Sequence, residues 1–156
     1  MSRSVASIAC AFAIAMIVAC SIDPSDQRPG LSLSGEVIQQ AVDDWSFSSD
    51  VKEIFIETTT SYGIPHSVTA WCVIVGDKLY VAADDADKKS WVTNVARDPN
   101  VRIKIGDKVY EQKLAPITDA AIQASIDSGF ARKYDYEEEE GDDEMVVGYW
   151  EVVERG

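Results

Sequence analysis

Twice in this chain a Gly-Asp pair separates two runs rich in β-branched residues, at Gly76-Asp77 and at Gly106-Asp107. Glycine accepts the positive φ that a tight reversal needs, so each pair folds its flanking runs into an antiparallel hairpin. The first hairpin joins a strand over 67–75 to one over 79–83, and the second joins 101–105 to 108–114. Within 101–105, Val101, Ile103 and Ile105 alternate with Arg102 and Lys104, which is the period of a strand with one wet face. A run over 51–60 places Ile54, Ile56 and Thr58 on one face, and the turn at 61–65, containing Tyr62-Gly63, leads it into the first hairpin as a meander. Residues 145–153 form a last, mostly apolar strand.

Three stretches carry helical spacing instead. Val37, Ile38, Ala41, Val42 and Trp45 predict a helix over 36–45, with Ser32 or Ser34 as its cap. A second is predicted over 86–97, started by Asp85 or Asp87 and stopped by Asp98-Pro99-Asn100. A third, over 117–134, is capped by Thr118 and carries Ala120, Ile122, Ala124 and Ile126. Short strands in antiparallel hairpins, interrupted by helices, imply an α+β protein: a split antiparallel β-barrel with flanking helices rather than a doubly wound sheet.

Ahead of these elements lies an apolar leader from Val5 to Ala19 behind one basic residue, Arg3. It falls short of the ~20 residues that span a bilayer as a helix, so it reads as a targeting segment. Its end, Ile17-Val18-Ala19-Cys20, resembles the lipobox of bacterial lipoproteins. That resemblance implies a signal peptide over 1–19 and a chain held to the membrane through lipid on Cys20. Ser21 after the cysteine resembles the outer-membrane sorting pattern, so the expected location is extracytoplasmic, lipid-anchored, on the outer membrane facing the periplasm. Residues 20–32, with Pro24, Pro29 and Gly30, predict a flexible tether. Residues 33–156 suffice for one hydrophobic core and not for two.

The formal net charge is -13, and losing Arg3 with the leader leaves 13 bases against 27 acids. So acidic a protein has no electrostatic route to nucleic acid. The acidic loop over 135–144 holds much of this charge and lacks the spacing of a calcium loop, so no metal site is assigned. Cys10 leaves with the leader and Cys20 takes lipid, so Cys72 stands alone in the domain and no intrachain disulfide is expected. The single histidine, His66, follows Pro65 at a strand edge with no partner acid or nucleophile in reach, and reads as a turn histidine. No catalytic side chain is assigned.

Several of these segments recur together in a known pattern. A strand ending in threonines, the Gly63-Ile64-Pro65-His66 turn, the run from Trp71 to Val81, the Lys88-Lys89-Ser90-Trp91 helix start and the stretch from Asn94 to Arg102 follow in order. Over roughly 51–114 the chain resembles the flavin-binding split β-barrel superfamily, which includes pyridoxamine-phosphate-oxidase-like and deazaflavin-dependent reductase proteins. The resemblance implies a homodimer with flavin mononucleotide (FMN) or a deazaflavin between subunits, its phosphate near the start of the helix after the third strand. On this chain Lys88, Lys89 and Ser90 would hold phosphate, while Thr69, Trp71 and Trp91 would frame the ring. Trp71 and Trp91 suit core or dimer-seam packing equally well. Asp84, Asp85 and Asp87 crowd the same loop and oppose an anion unless turned away or paired. Two functions follow: an FMN- or deazaflavin-dependent oxidoreductase of the envelope acting on a small molecule, or a noncatalytic split-barrel lipoprotein binding a small ligand or an envelope protein.

Overall fold

The computed structural model describes residues 21–26, 28–135 and 146–155; the leader, Cys20 and the acidic run after Asp135 lie outside them. The strands are β1 (Glu36–Ile38), β2 (Glu53–Thr59), β3 (Pro65–Val75), β4 (Lys78–Ala83), β5 (Asn100–Ile105), β6 (Lys108–Pro116) and β7 (Gly148–Glu154). The helices are α1 (Ser90–Arg97) and α2 (Ala120–Tyr134). Strands β6, β5, β2, β3, β4 and β7 neighbour one another in that order, and β7 pairs back onto β6. The result is a closed six-stranded antiparallel barrel with two flanking helices, the α+β split-barrel class implied by the hairpins.

Both Gly-Asp turns are two-residue loops, closed by the pairs Val75 with Lys78 and Ile105 with Lys108. Gly76 and Gly106 stand at φ 70° and 59°, where a β-carbon is strained. Ile54, Ile56, Cys72, Val81, Ile103 and Leu114 fill the barrel interior and are fully buried. Each large aliphatic side chain so placed stabilises the fold by about 1.5–3 kcal/mol. Helix α2 covers the outer face of β3 and β4, packing Ile126 and Phe130 on Val73 and Tyr80. Its Gly129 is the point of closest approach, since a β-carbon there would lie 3.0 Å from Val73 Cγ2.

Three expectations are corrected. No helix spans 36–45: Glu36–Ile38 pairs in parallel with β6, and the chain then runs to Trp45, which is 3% exposed and packs edge-on against Tyr110 at 5.3 Å. The apolar spacing that suits a helix serves a strand followed by an aromatic plug. Second, the expected helix over 86–97 is broken. Ala86–Lys88 is a 3-10 turn entered through Asp85 at φ 49°, and α1 begins at Ser90 with Lys89 as N-cap. Third, the cap of α2 is Asp119, not Thr118; its carboxylate accepts from the amides of Ala121 at 2.8 Å and Ile122 at 3.0 Å.

The stretch expected as a flexible tether makes contacts along the barrel from Ser21 onward. Ser21 pairs with Ser32, and Gly30 pairs with Ser67 of β3. Lys104 Nζ donates to Asp23 at 2.8 Å, and Ser34 donates to the same carboxylate from its amide and its hydroxyl. Glu57 Oε2 accepts from the Leu33 amide at 2.7 Å and from Arg102 at 2.6 Å. These bonds fix residues 21–34, Gln27 aside, as an arm over the outer face of β2, β3 and β5. Such partly buried ion pairs hold geometry more than they add net stability.

A candidate ligand cleft at the barrel mouth

The inward row of β2 turns polar at its end, from Ile54 and Ile56 to Thr58, and Thr58 stands opposite His66 of β3. Thr58 Oγ1 donates to the His66 carbonyl at 3.1 Å and accepts from Asn94 Nδ2 of α1 at 3.0 Å. One turn further, Thr60 Oγ1 donates to the Ile64 carbonyl at 2.8 Å and accepts from the Ile64 amide, which shapes the β2–β3 loop. Arg97 ties the last turn of α1 to the Thr59 carbonyl. Helix and loop thus face each other across one mouth of the barrel.

Between them is a cleft of about 260 Å³ lined by Thr60, Ser61, Tyr62, His66, Ser90 and Asn94. Its lining carries hydroxyls, an amide and an imidazole, and no carboxylate. His66 Nδ1 is buried with no hydrogen-bond partner, an uncommon state for a buried polar atom. No side chain caps α1, so its first-turn amides are left for another acceptor. The site therefore offers donors and a helix dipole to an anionic group.

Of the six residues the resemblance singled out, Ser90 lines this cleft. Lys88 donates to Asp85 at 2.8 Å, and that hydrogen bond lowers the Asp85 carboxyl and raises the Lys88 ammonium from their ordinary pKa values. Neither Lys88 nor Lys89 lines the cleft, and neither do Asp84, Asp85 and Asp87. Trp91 is 6% exposed and packs on Trp150 at 5.1 Å in the core. Thr69 and Trp71 lie on the outer face of β3, and one face of the half-exposed Trp71 ring stacks on Tyr134 at 4.5 Å. The sequence alone reads His66 as a turn histidine and does not single out Asn94 as a site residue. The signal that could have united the cleft is the hydroxyl run from Thr58 to Tyr62 leading directly into the Pro65-His66 turn.

Cys72 is a free, buried thiol, as its strand position implies. Burial pushes its pKa up, and the nearby Lys133 ammonium only partly offsets this. Lys133 itself donates to the carbonyls of Val51 at 2.6 Å and Cys72 at 2.8 Å, which makes it a structural staple.

Residues 48–149 match a family model described as "Uncharacterized protein conserved in bacteria (DUF2255)". The comparison with curated proteins found no match. Among solved structures, a candidate 5-nitroimidazole antibiotic resistance protein from Bacteroides thetaiotaomicron superposes with a TM-score of 0.54 at 17% identity, covering 82% of this chain and 84% of its own. A candidate pyridoxamine 5'-phosphate oxidase from Listeria innocua gives 0.54 at 15%, covering 69% and 87%. The heme storage protein HutZ from Vibrio cholerae gives 0.53 at 12%, covering 71% and 87%. At such identities these likenesses concern the fold.

Proposed function

The chain belongs to the DUF2255 family, and from the lining of its cleft we propose that it is an envelope oxidoreductase that holds FMN or a deazaflavin by its phosphate at the barrel mouth. The observation that carries this reading is the hydroxyl- and imidazole-lined cleft with Ser90 at the uncapped start of α1. Hydroxyls of Ser61 and Ser90, the imidazole of His66 and the α1 amides form a donor set suited to a phosphate. The cleft volume, about 260 Å³, lies below the ~300–1,000 Å³ of ordinary small-molecule sites, so it accepts one end of such a cofactor. The ring would extend past the rim, where Tyr62 is 74% exposed, and a second copy of the chain would cover it. A bound flavin would supply hydride acceptance, while the chain binds, orients and excludes water. An envelope protein of this kind would acquire its cofactor outside the cytoplasm or be exported already folded.

Titration of the protein lacking its leader tests this reading. FMN should bind more tightly than riboflavin, because the phosphate is the recognised group. Ser90→Ala should raise the FMN Kd by roughly tenfold, the equivalent of one hydrogen bond to a charged group. Binding of neither FMN nor a deazaflavin would remove the proposal. One observation favours the noncatalytic alternative, a barrel binding a small ligand or an envelope protein: with Lys88 and Lys89 outside the cleft, an uncharged ligand meets the same hydroxyls. Equal affinity for riboflavin and FMN is the result that alternative expects.

A further inference from the structure

The arm over the barrel changes what an anchor at its beginning would do. A flexible tether would let the domain move freely above a membrane, whereas here Ser21 is already paired with Ser32. The Ile22 amide donates to the Ser32 carbonyl at 2.9 Å and the Leu31 amide to the Ile22 carbonyl at 2.7 Å, so the two halves of the arm form a narrow ladder. Beyond it, Gly30 sits so tightly over Ser67 that a β-carbon would lie 2.5 Å from the serine hydroxyl oxygen. No slack remains between Ser21 and the sheet.

Two large apolar side chains protrude from this ladder. Ile22 is 50% exposed and Leu31 is 40% exposed. The Leu31 amide donates to the Ile22 carbonyl, which keeps the two residues side by side, and Cys20 directly precedes Ser21 in the sequence. Apolar groups beside a lipid-bearing residue meet acyl chains as soon as the anchor inserts. They add to its hold as amphipathic surface segments do.

We propose that Ile22 and Leu31 form a membrane-contact ridge that seats the barrel directly on the bilayer, arm face down. The proposal rests on the lipoprotein reading of Cys20 and is independent of what the cleft holds. Gly30 lies over Ser67, the neighbour of His66 in sequence, so a seated arm brings the cleft's β3 wall beside the lipid surface. The occupant of the ridge is the lipid bilayer, not a protein partner.

The full chain, expressed in a bacterium with its leader and purified from membranes, tests this when reconstituted in phosphatidylcholine vesicles containing nitroxide-labelled lipid. A fluorophore is placed in turn at Ile22→Cys, Leu31→Cys and Ile122→Cys; Ile122 is an equally apolar, 40% exposed position on α2, outside the arm. Intact-mass measurement of the same samples reports acyl groups on Cys20. The expected result is acylated protein with strong lipid quenching at positions 22 and 31 and little at 122. Acylated protein with no quenching at 22 and 31, or with equal quenching at all three, would overturn the ridge and leave the anchor standing. Protein without acyl groups on Cys20 would overturn both.

Discussion

Asp23 shows how one side chain decides whether the arm is part of the fold. Burial pushes its pKa up, and hydrogen bonds from Lys104 and Ser34 together outweigh that effect, so its folded pKa lies below the usual carboxylate value. A depressed folded pKa stabilises above the unfolded pKa, near 4, and that stabilisation is lost as pH falls through the folded value. Asp23→Asn should therefore loosen the arm at neutral pH and make no difference in acid, once the pH lies below the folded pKa. Amide hydrogen exchange at Leu31 and Leu33, compared between the two proteins at both pH values, checks this; a difference that persists unchanged in acid would contradict it. None of this was legible in the sequence. Pro24, Pro29 and Gly30 signal a tether by composition, and only Lys104 and Arg102, from a strand about eighty positions downstream of Asp23, reveal that the segment has partners.

Elements were legible where local chemistry and tertiary packing agree. The two Gly-Asp hairpins follow from backbone sterics alone, and β5 from the strict alternation of Val101, Ile103 and Ile105. The stretch over 36–45 failed because its apolar residues meet the barrel in two different ways, Ile38 beside β6 and Trp45 as an end plug. Alpha-helix spacing cannot separate those uses from a single amphipathic face. The start of α2 failed on a finer point, since Thr118 and Asp119 are both good caps and the backbone chose the second. Asp119→Ala should lower stability by about 1 kcal/mol, whereas Thr118→Ala should leave it nearly unchanged. Urea unfolding of the two variants distinguishes them, and the reverse order would reassign the cap.

At the scale of the molecule, closure of six strands concentrates apolar side chains inside and leaves polar chemistry to the two mouths and the outer face. One end is plugged by Trp45 against Tyr110; the other is the cleft of Thr60, His66, Ser90 and Asn94 under α1. The resemblance located the helix start that contributes Ser90 but spread the remaining residues over the core, the outer face of β3 and the loop before α1. A linear pattern records order along the chain and not which way each side chain faces around a barrel. Trp91 and Ser90, adjacent in sequence, point into the core and into the cleft. Native mass spectrometry of the protein purified from its own membranes tests the proposed cofactor most directly. The predicted spectrum shows two chains carrying the mass of FMN or a deazaflavin, with that mass diminished by Ser90→Ala; chains from the same membranes, acylated or not, that carry no such mass would contradict it.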